Sequence, residues 1–346
     1  MQSYAILYNP FHTRVSYSDS RVIALKELDR ALTQLAISCQ AKIKEIAGIP
    51  YFVFDTHERL TTDGIRTLSR LSFTYALYEI ITQNSDTDLL LPVLADSMYS
   101  IGDDISLILK YFGKTNELFT RFMLNLALWN TESQDSRLRI LDPLAGKGTT
   151  LFEGLMYGAD VYGVEIEQKP AHEAYIFFKK YLETAKIKHS GHTEKVGGSS
   201  TGGKRFSATR YQISVGNGKK LQPTQQFEII AGDTRYVNTY FKKNFFDCII
   251  GDLPYGVQHG SKTAEKNNKQ HTGITRNASG LLDDVIPEWM KILRPDGIIV
   301  LAWNLLLIPK EEMIAIFIKN GLNVIECDFA HRVDQAIDRN VIVGRK

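Results

Sequence analysis

From Leu138 onward, short apolar runs alternate with helical patterns, and this alternation constrains the fold more than any other feature of the chain. The runs Leu138–Asp142, Asp160–Glu165, Phe227–Gly232, Phe246–Asp252 and Ile298–Trp303 read as strands. Thr149–Tyr157 reads as a helix closed by Gly158, and Ala171–Ala185 as a second, amphipathic one. Leu281–Leu293 is predicted as a helix ended by an Arg-Pro-Asp-Gly turn, and Lys310–Asn320 as a helix capped by Gly321. Strands joined by helices must run parallel, with the crossovers covering both sheet faces. The last two predicted strands, Leu322–Ala330 and Asn340–Gly344, are joined by His331–Arg339, which leaves no room for a helix, so they should pair antiparallel. In such sheets ligands sit outside the carboxyl ends of the strands, where strand order reverses.

The first part of the chain has a different texture. Ala5–Tyr8, Tyr51–Phe54 and Leu89–Val93 are predicted as strands, Arg21–Leu35 and Thr62–Ile81 as helices. This gives a small α+β domain over 1–115 and a second domain over 116–346, entered through a helix at Asn116–Trp129. A chain of 346 residues suits two domains at roughly 150 residues each. Residues 190–204 are rich in Gly and Ser and predict a flexible insertion at about 188–210.

Composition removes several classes. Hydrophobic residues make up 44% and charged residues 23%, the balance of a soluble globular chain rather than a disordered one. No apolar run approaches the roughly 20 residues that a bilayer span needs. The opening MQSYAILYNPFH lacks the charged lead and apolar stretch of a secretory leader. Cys39, Cys248 and Cys327 are widely spaced, without a CxxC pair, which argues against disulfides and zinc and for a reducing cytoplasm. His12, His57, His259 and His331 show no ligand spacing, so no metal is expected. Net charge is only +2, but it is unevenly spread. Lys186, Lys188, Lys195, Lys204, Arg205, Arg210, Lys219 and Lys220 face a single acid, Glu194, and Lys262, Lys266, Lys269 and Arg276 face Glu265. Such stretches are usually solvated surface, and their meaning depends on what they flank.

Two turns carry the chemistry. In the first, Asp142-Pro143-Leu144-Ala145-Gly146-Lys147-Gly148-Thr149-Thr150 ends a strand and begins a helix. Glycines there admit close approach of a ligand, and the helix start offers free N–H groups. A phosphate loop needs GxxxxGK[ST], but Gly148 follows the lysine. A dinucleotide turn needs GxGxxG, but Leu151 stands at the third glycine. The turn resembles motif I of S-adenosylmethionine enzymes, D-P-x-x-G-x-G-T, which puts Asp142, Pro143, Ala145, Gly146, Gly148 and Thr149 around that cofactor. Asp142 can receive the methionine ammonium and the turn amides its carboxylate. Glu165 ends the next strand about 20 residues later, where a carboxylate can accept both ribose hydroxyls.

The second turn is Asp252-Leu253-Pro254-Tyr255-Gly256, at the end of a strand. It resembles the (N/D)-P-P-(Y/F) motif of amino-methyltransferases. An exocyclic amine on a nucleobase is a poor nucleophile because its lone pair is delocalised into the ring. Two acceptors on its N–H groups help to expose that lone pair: Asp252 supplies one and the Leu253 carbonyl the other. Pro254 fixes φ and leaves no competing N–H. Tyr255 offers a flat face on which the base can stack, worth about 1–3 kcal/mol. A base inside a helix cannot reach such a slot, so it must be flipped out or unpaired.

Together the segments FTRFMLNLAL, DPLAGKGTTL, VYGVEIE, AGDTR, GDLPYG and HRVDQAIDRNVIV make residues 116–346 similar to the THUMP-associated RNA methyltransferases, which include the tRNA guanine-N2 enzymes. The resemblance implies a class I, Rossmann-like methyltransferase fold: a mostly parallel sheet with an antiparallel C-terminal hairpin. It further implies Asp233 and Thr234 at the adenine, with Asp233 accepting its amine, and Phe119 and Thr120 of the lead-in helix near the cofactor. The chain departs from the family at Leu253, where many relatives have proline, and in its first 115 residues, too short for the usual ferredoxin-like plus THUMP pair.

The expected substrate is guanine N2 in tRNA, with the N-terminal domain selecting the RNA by its fold. Arg332, Asp334 and Arg339 of the closing hairpin, with Lys204, Arg205 and Lys262, are expected to meet the extruded nucleotide or its phosphates. One alternative is a DNA adenine or cytosine amino-methyltransferase, but only about 25 residues separate Tyr255 from the next predicted helix, little room for reading duplex sequence. The other is a cofactor-binding module without catalysis, which the presence of Asp252 and Tyr255 disfavours.

Overall fold

Ala5 and Ile6 are fully buried, and the strand that carries them stands at the centre of a sheet. The computed structural model describes residues 1–9, 17–84, 87–95, 101–102, 104–109, 114–132, 137–199, 205–216, 225–254, 278–333 and 335–346. The chain forms two units, Met1–Met98 with His331–Asp334 and Tyr99–Ala330 with Gln335–Lys346. Residues 99–115, grouped by the sequence with the N-terminal part, therefore lie in the second unit.

The first unit runs β1 (Gln2–Tyr8), α1 (Tyr17–Gln34), β2 (Lys42–Ile46), β3 (Ile49–Thr56), α2 (Thr62–Ser69), β4 (Thr74–Asn84) and β5 (Thr87–Pro92). The strands form an antiparallel sheet in the order β2-β3-β1-β4-β5. Phe52, Phe54, Phe73 and Leu28 are buried in its core, with Phe52 edge-on to Phe73 at 5.2 Å. The helix predicted over Thr62–Ile81 is two elements, α2 and β4. Leucines at 68 and 71 continue a helical spacing, but the buried carboxylate of Glu27 accepts the Ser72 N–H at 3.0 Å and the Ser72 hydroxyl, which fixes a turn there. Thr74–Ile81, rich in aromatic and β-branched residues, then pairs with β1.

The second unit runs α3 (Ile105–Ile108), α4 (Glu117–Asn130), β6 (Arg139–Asp142), α5 (Thr149–Met156), β7 (Asp160–Glu165), α6 (Gln168–Thr184), β8 (His189–Ser199), β9 (Arg205–Val215), β10 (Gln225–Ala231), α7 (Val237–Tyr240), β11 (Phe246–Asp252), α8 (Ala278–Ile292), β12 (Leu293–Asn304), α9 (Lys310–Lys319), β13 (Asn323–Glu326) and β15 (Asp338–Arg345). The short β14 (His331–Arg332) belongs to the first unit. The sheet order is β13-β15-β12-β11-β6-β7-β10-β9-β8. Strands β12, β11, β6, β7 and β10 are mutually parallel, and β15 enters antiparallel between β12 and β13. This is the class I methyltransferase order, and β13 and β15 pair antiparallel as the sequence predicts. Order reverses at β6, with β7 on one side and β11 on the other, so the carboxyl ends of these strands frame the crevice in which a ligand binds.

Two stretches differ from the sequence reading. The Gly- and Ser-rich insertion, apart from 200–204, which lie outside the described residues, forms β8 and β9, which pair from His189↔Val215 to Ser199↔Arg205 and extend the sheet beyond β10. Tyr211, Ile213 and Val215 alternate on β9 and are buried, so β9 carries an apolar face, while its partner β8 holds three glycines among mostly polar residues. The Arg-Pro-Asp-Gly segment does not stop the preceding helix from outside; it bulges within β12, where pairing jumps from Phe246↔Leu293 to Cys248↔Ile298 and Asp296 takes a φ of 59°.

Beneath the sheet, Phe246, Trp289, Ile299 and Phe317 are fully buried. Each phenylalanine buried in this way contributes about 1.5–3 kcal/mol. At the amino end of the sheet, the buried carboxylate of Asp247 accepts the Arg139 N–H at 2.6 Å and pairs with the Arg294 guanidinium at 2.7 Å, tying β6, β11 and β12 together.

Candidate active site

Four acids stand at the carboxyl end of the sheet. Asp142 ends β6, Glu165 ends β7, Asp233 follows β10 and Asp252 ends β11. Glu165, Asp233 and Asp252 line one cleft of about 690 Å³, together with Pro143, Leu144, Ile166, Thr234, Arg235, Pro254 and Leu281.

Asp142 is 4% exposed and is not among the residues that line this cleft. Its carboxylate accepts the Leu144 N–H at 2.9 Å and a hydrogen bond from Thr150. Burial pushes its pKa up to about 7 in spite of these donors, and the charges of Asp252 and Glu165 push in the same direction. A buried carboxylate near two further carboxylates is a place where a bound cation is stabilised. Strongly shifted groups of this kind concentrate at functional sites.

The glycine turn is built as its residues predict. Gly148 precedes α5 with a φ of 87°, the left-handed region that glycine alone enters without strain. Its N–H donates to Ala145 O at 2.7 Å, and the Ala145 N–H donates to Val164 O at 2.9 Å, joining the turn to β7. Gly163 on β7 lets that turn settle: a Cβ there would lie 2.8 Å from the Ala145 Cβ. Thr149 is buried as the first residue of α5. The Gly146 N–H donates to Glu165 Oε2 at 2.8 Å, and the Glu167 N–H donates to Glu165 Oε1 at 2.9 Å. Burial raises the Glu165 carboxyl above its ordinary value, opposed by these amides.

Asp233 accepts the Arg235 N–H at Oδ1 at 2.9 Å and pairs with the Arg235 guanidinium through both oxygens: Oδ1 accepts Nε at 3.1 Å, and Oδ2 accepts Nε at 2.9 Å and Nη2 at 2.6 Å. Thr234 accepts the indole N–H of the buried Trp289 at 2.9 Å, which anchors the floor of the cleft to α8. Phe119 and Thr120 are buried in α4, outside the lining of this cleft. The Thr120 hydroxyl donates to Asn116 O at 3.2 Å, and the Arg339 guanidinium covers the Phe119 ring at 4.2 Å. Arg339, expected at the substrate, is thus buried against the aromatic face of the lead-in helix and only 7% exposed.

At the end of β11 the main chain is fixed on one side. The Leu253 N–H donates to Ala302 O at 2.9 Å, and the Leu253 side chain is 3% exposed within the core. Pro254 is exposed at the cleft. Tyr255, Lys204, Lys262 and Asp334 lie outside the described residues. Arg205 opens β9, and Arg332 lies on β14 in the first unit.

Two site residues escaped the sequence reading. Thr115 donates its hydroxyl to Asp252 Oδ2 at 2.8 Å. Arg235 holds Asp233. The segment AGDTR carried the second as an arginine two residues after an acid; nothing local in the sequence marks the first.

The strand order, the glycine turn and the acid-lined crevice define the class: an S-adenosylmethionine-dependent methyltransferase domain of class I. Residues 112–280, just under half of the chain, match the family model UPF0020, the RMKL-like methyltransferase domain. No curated protein sequence matches the chain. Among solved structures, the chain is similar to the 1,6-didemethyltoxoflavin-N1-methyltransferase of Burkholderia thailandensis, at 12% identity over 61% of this chain and 71% of that one, TM-score 0.35. A TehB-like S-adenosylmethionine-dependent methyltransferase of Corynebacterium glutamicum matches at 14% identity over 61% and 82%, TM-score 0.34. A candidate RNA methyltransferase of Pyrococcus horikoshii, PH1948, matches at 17% identity over 70% and 94%, TM-score 0.38. With TM-scores below 0.5, these likenesses carry no argument about substrate.

Proposed function

We propose that the protein transfers a methyl group from S-adenosylmethionine to an exocyclic amine of a nucleobase in RNA, guanine N2 in tRNA being the substrate its motif favours. The observation that carries this reading is the position of Asp252 and Pro254. They line the same cleft as Glu165 and Asp233, one strand away from Asp142.

The residues fit the cofactor. Asp142, with its raised pKa, gains most from a cationic ammonium. Glu165 keeps lone pairs beyond those taken by the Gly146 and Glu167 amides, and these accept the ribose hydroxyls. Asp233 accepts the adenine amine beside Arg235, and Ile166 and Leu281 give the apolar walls a purine needs. Pro143, Ala145, Gly146, Gly148, Thr149 and Thr234 form the turns around it, with Phe119 and Thr120 supporting from α4. When bound, S-adenosylmethionine supplies an electrophilic methyl group on a sulfonium.

Asp252 and the Leu253 carbonyl accept the two N–H groups of the target amine and turn its lone pair toward that methyl. Only contacts that strengthen in the transition state accelerate the step, and these two do so as the amine gains positive charge. Tyr255 stacks on the extruded base. The first unit, which carries Arg332 and Asp334, selects the RNA, and Lys204, Arg205 and Lys262 contact the nucleotide or its phosphates. Arg339 packs on Phe119 instead.

The test is incubation of purified protein and labelled S-adenosylmethionine with unmodified tRNA, rRNA fragments and DNA, followed by nucleoside mass spectrometry. Label in N2-methylguanosine of tRNA is the expected result. Label only in DNA, or only in adenine, overturns the substrate assignment.

A further inference from the structure

We propose that Thr115 is a positioning residue for Asp252: its hydroxyl fixes the carboxylate that accepts the target amine. The inference rests on the reading of Asp252 given above and adds a residue to it.

Four observations converge. The hydrogen bond is direct, Thr115 Oγ1 to Asp252 Oδ2 at 2.8 Å, and spans 137 positions of sequence. The residue before Thr115 is anchored, since the Lys114 ammonium donates to the carbonyls of Ser106 and Leu109 and to Glu117 Oε1. The residue after it is anchored as well, since Asn116 caps α4 and its side chain accepts the N–H groups of Leu118 and Phe119 at 2.8 and 3.2 Å. Asp252 is itself held along the main chain, paired with Ala302 and followed by the Leu253 N–H bond to the same residue. A donor fixed on both sides meets an acceptor whose backbone is fixed, so the hydroxyl bears on the side-chain torsions that orient the Asp252 carboxylate.

The chemistry explains why that freedom matters. A carboxylate accepts an amine hydrogen well only along its lone-pair directions. A misplacement of about 1 Å at a reacting group costs about a hundredfold in rate. Threonine suits the task because its branched Cβ restricts χ1, and serine retains the donor without the methyl.

The experiment compares Thr115→Val, Thr115→Ser and Asp252→Ala with the wild type. Each protein, in excess, is given labelled S-adenosylmethionine and the total tRNA, rRNA and genomic DNA of a strain lacking the gene, so that substrate is present whichever nucleic acid it is. Single-turnover rate is measured, and cofactor affinity separately by calorimetry. The expected result is a rate about 10–100-fold lower for Thr115→Val, with cofactor affinity unchanged, and recovery to within about threefold for Thr115→Ser. If Asp252→Ala lowers the rate at least a hundredfold and Thr115→Val stays within twofold of wild type, the positioning role is overturned and the acceptor role of Asp252 stands. A loss in Thr115→Val that serine does not rescue, or that follows cofactor affinity, marks a purely structural contact and also overturns it. Near-normal transfer by Asp252→Ala, or no label in any pool, overturns the acceptor reading and this inference with it.

Discussion

The main-chain N–H of Leu253 donates to the carbonyl of Ala302 on the neighbouring strand, at 2.9 Å, while its side chain enters the core. A proline here would lose both the donor and the aliphatic packing. Leu253→Pro is therefore expected to cost about 3 kcal/mol, from a buried leucine truncated and a carbonyl left without its partner. Urea denaturation measures it. Leu253→Met, which keeps donor and volume, should stay within about 1.5 kcal/mol of wild type.

Asp142 links cofactor binding to pH. Burial raises its carboxyl from 3.8 to about 7 in the folded, unliganded protein. Below pH 7 the group is neutral and attracts an ammonium weakly; above it the group is anionic. Affinity for S-adenosylmethionine should rise about fivefold between pH 6 and pH 7, a range in which the ligand's α-ammonium stays mostly protonated, and calorimetry at the two values tests this. Stability runs the other way. The raised pKa stabilises the unliganded fold fully below pH 4, and that contribution is lost as pH rises through 7. Asp142→Asn should therefore melt higher than wild type at pH 8 while binding the cofactor poorly.

Asp252 separates binding from chemistry. Asp252→Ala removes an acceptor and leaves the glycine turn alone. Cofactor affinity should persist while the single-turnover rate falls about 10²–10³-fold, the usual loss when one preorganised polar group is removed. Near-normal turnover would remove Asp252 from the reaction.

Cations bound to phosphates release counterions, so RNA affinity should fall steeply with salt. Replacing Lys204, Arg205 and Lys262 by Gln should flatten the slope of log affinity against log salt, by about 0.7 for each phosphate no longer neutralised on single-stranded RNA. Filter binding at several salt concentrations checks it. An unchanged slope would assign these residues to solvated surface.

The elements legible in the sequence were those whose local pattern and tertiary environment agree. Strands β7 and β11 are flanked by helices and buried on both faces, so their apolar runs start and stop where the strands do. The carboxylates at the ends of β6, β7 and β11 were legible for the same reason. Where a distant residue decided the outcome, the pattern misled. Glu27, far from Ser72 in sequence, converts a long helical spacing into a helix and a strand. The glycine-rich β8 has no apolar pattern of its own and pairs with β9, which carries Tyr211 and Ile213. Thr115 is the extreme case, since its only visible context is a coil before a capping asparagine, and its partner stands 137 positions away.

One carboxylate fastens both walls of the cofactor crevice. Glu165 grips the turn after β6 through the Gly146 amide and the turn after β7 through its own neighbour at 167. The two loops are therefore clipped into a single rigid lip, and neither can swing outward while the clip holds. A ligand that drew Glu165 toward its hydroxyls would tug on both loops at once, so that gripping the sugar and tightening the glycine turn become one motion.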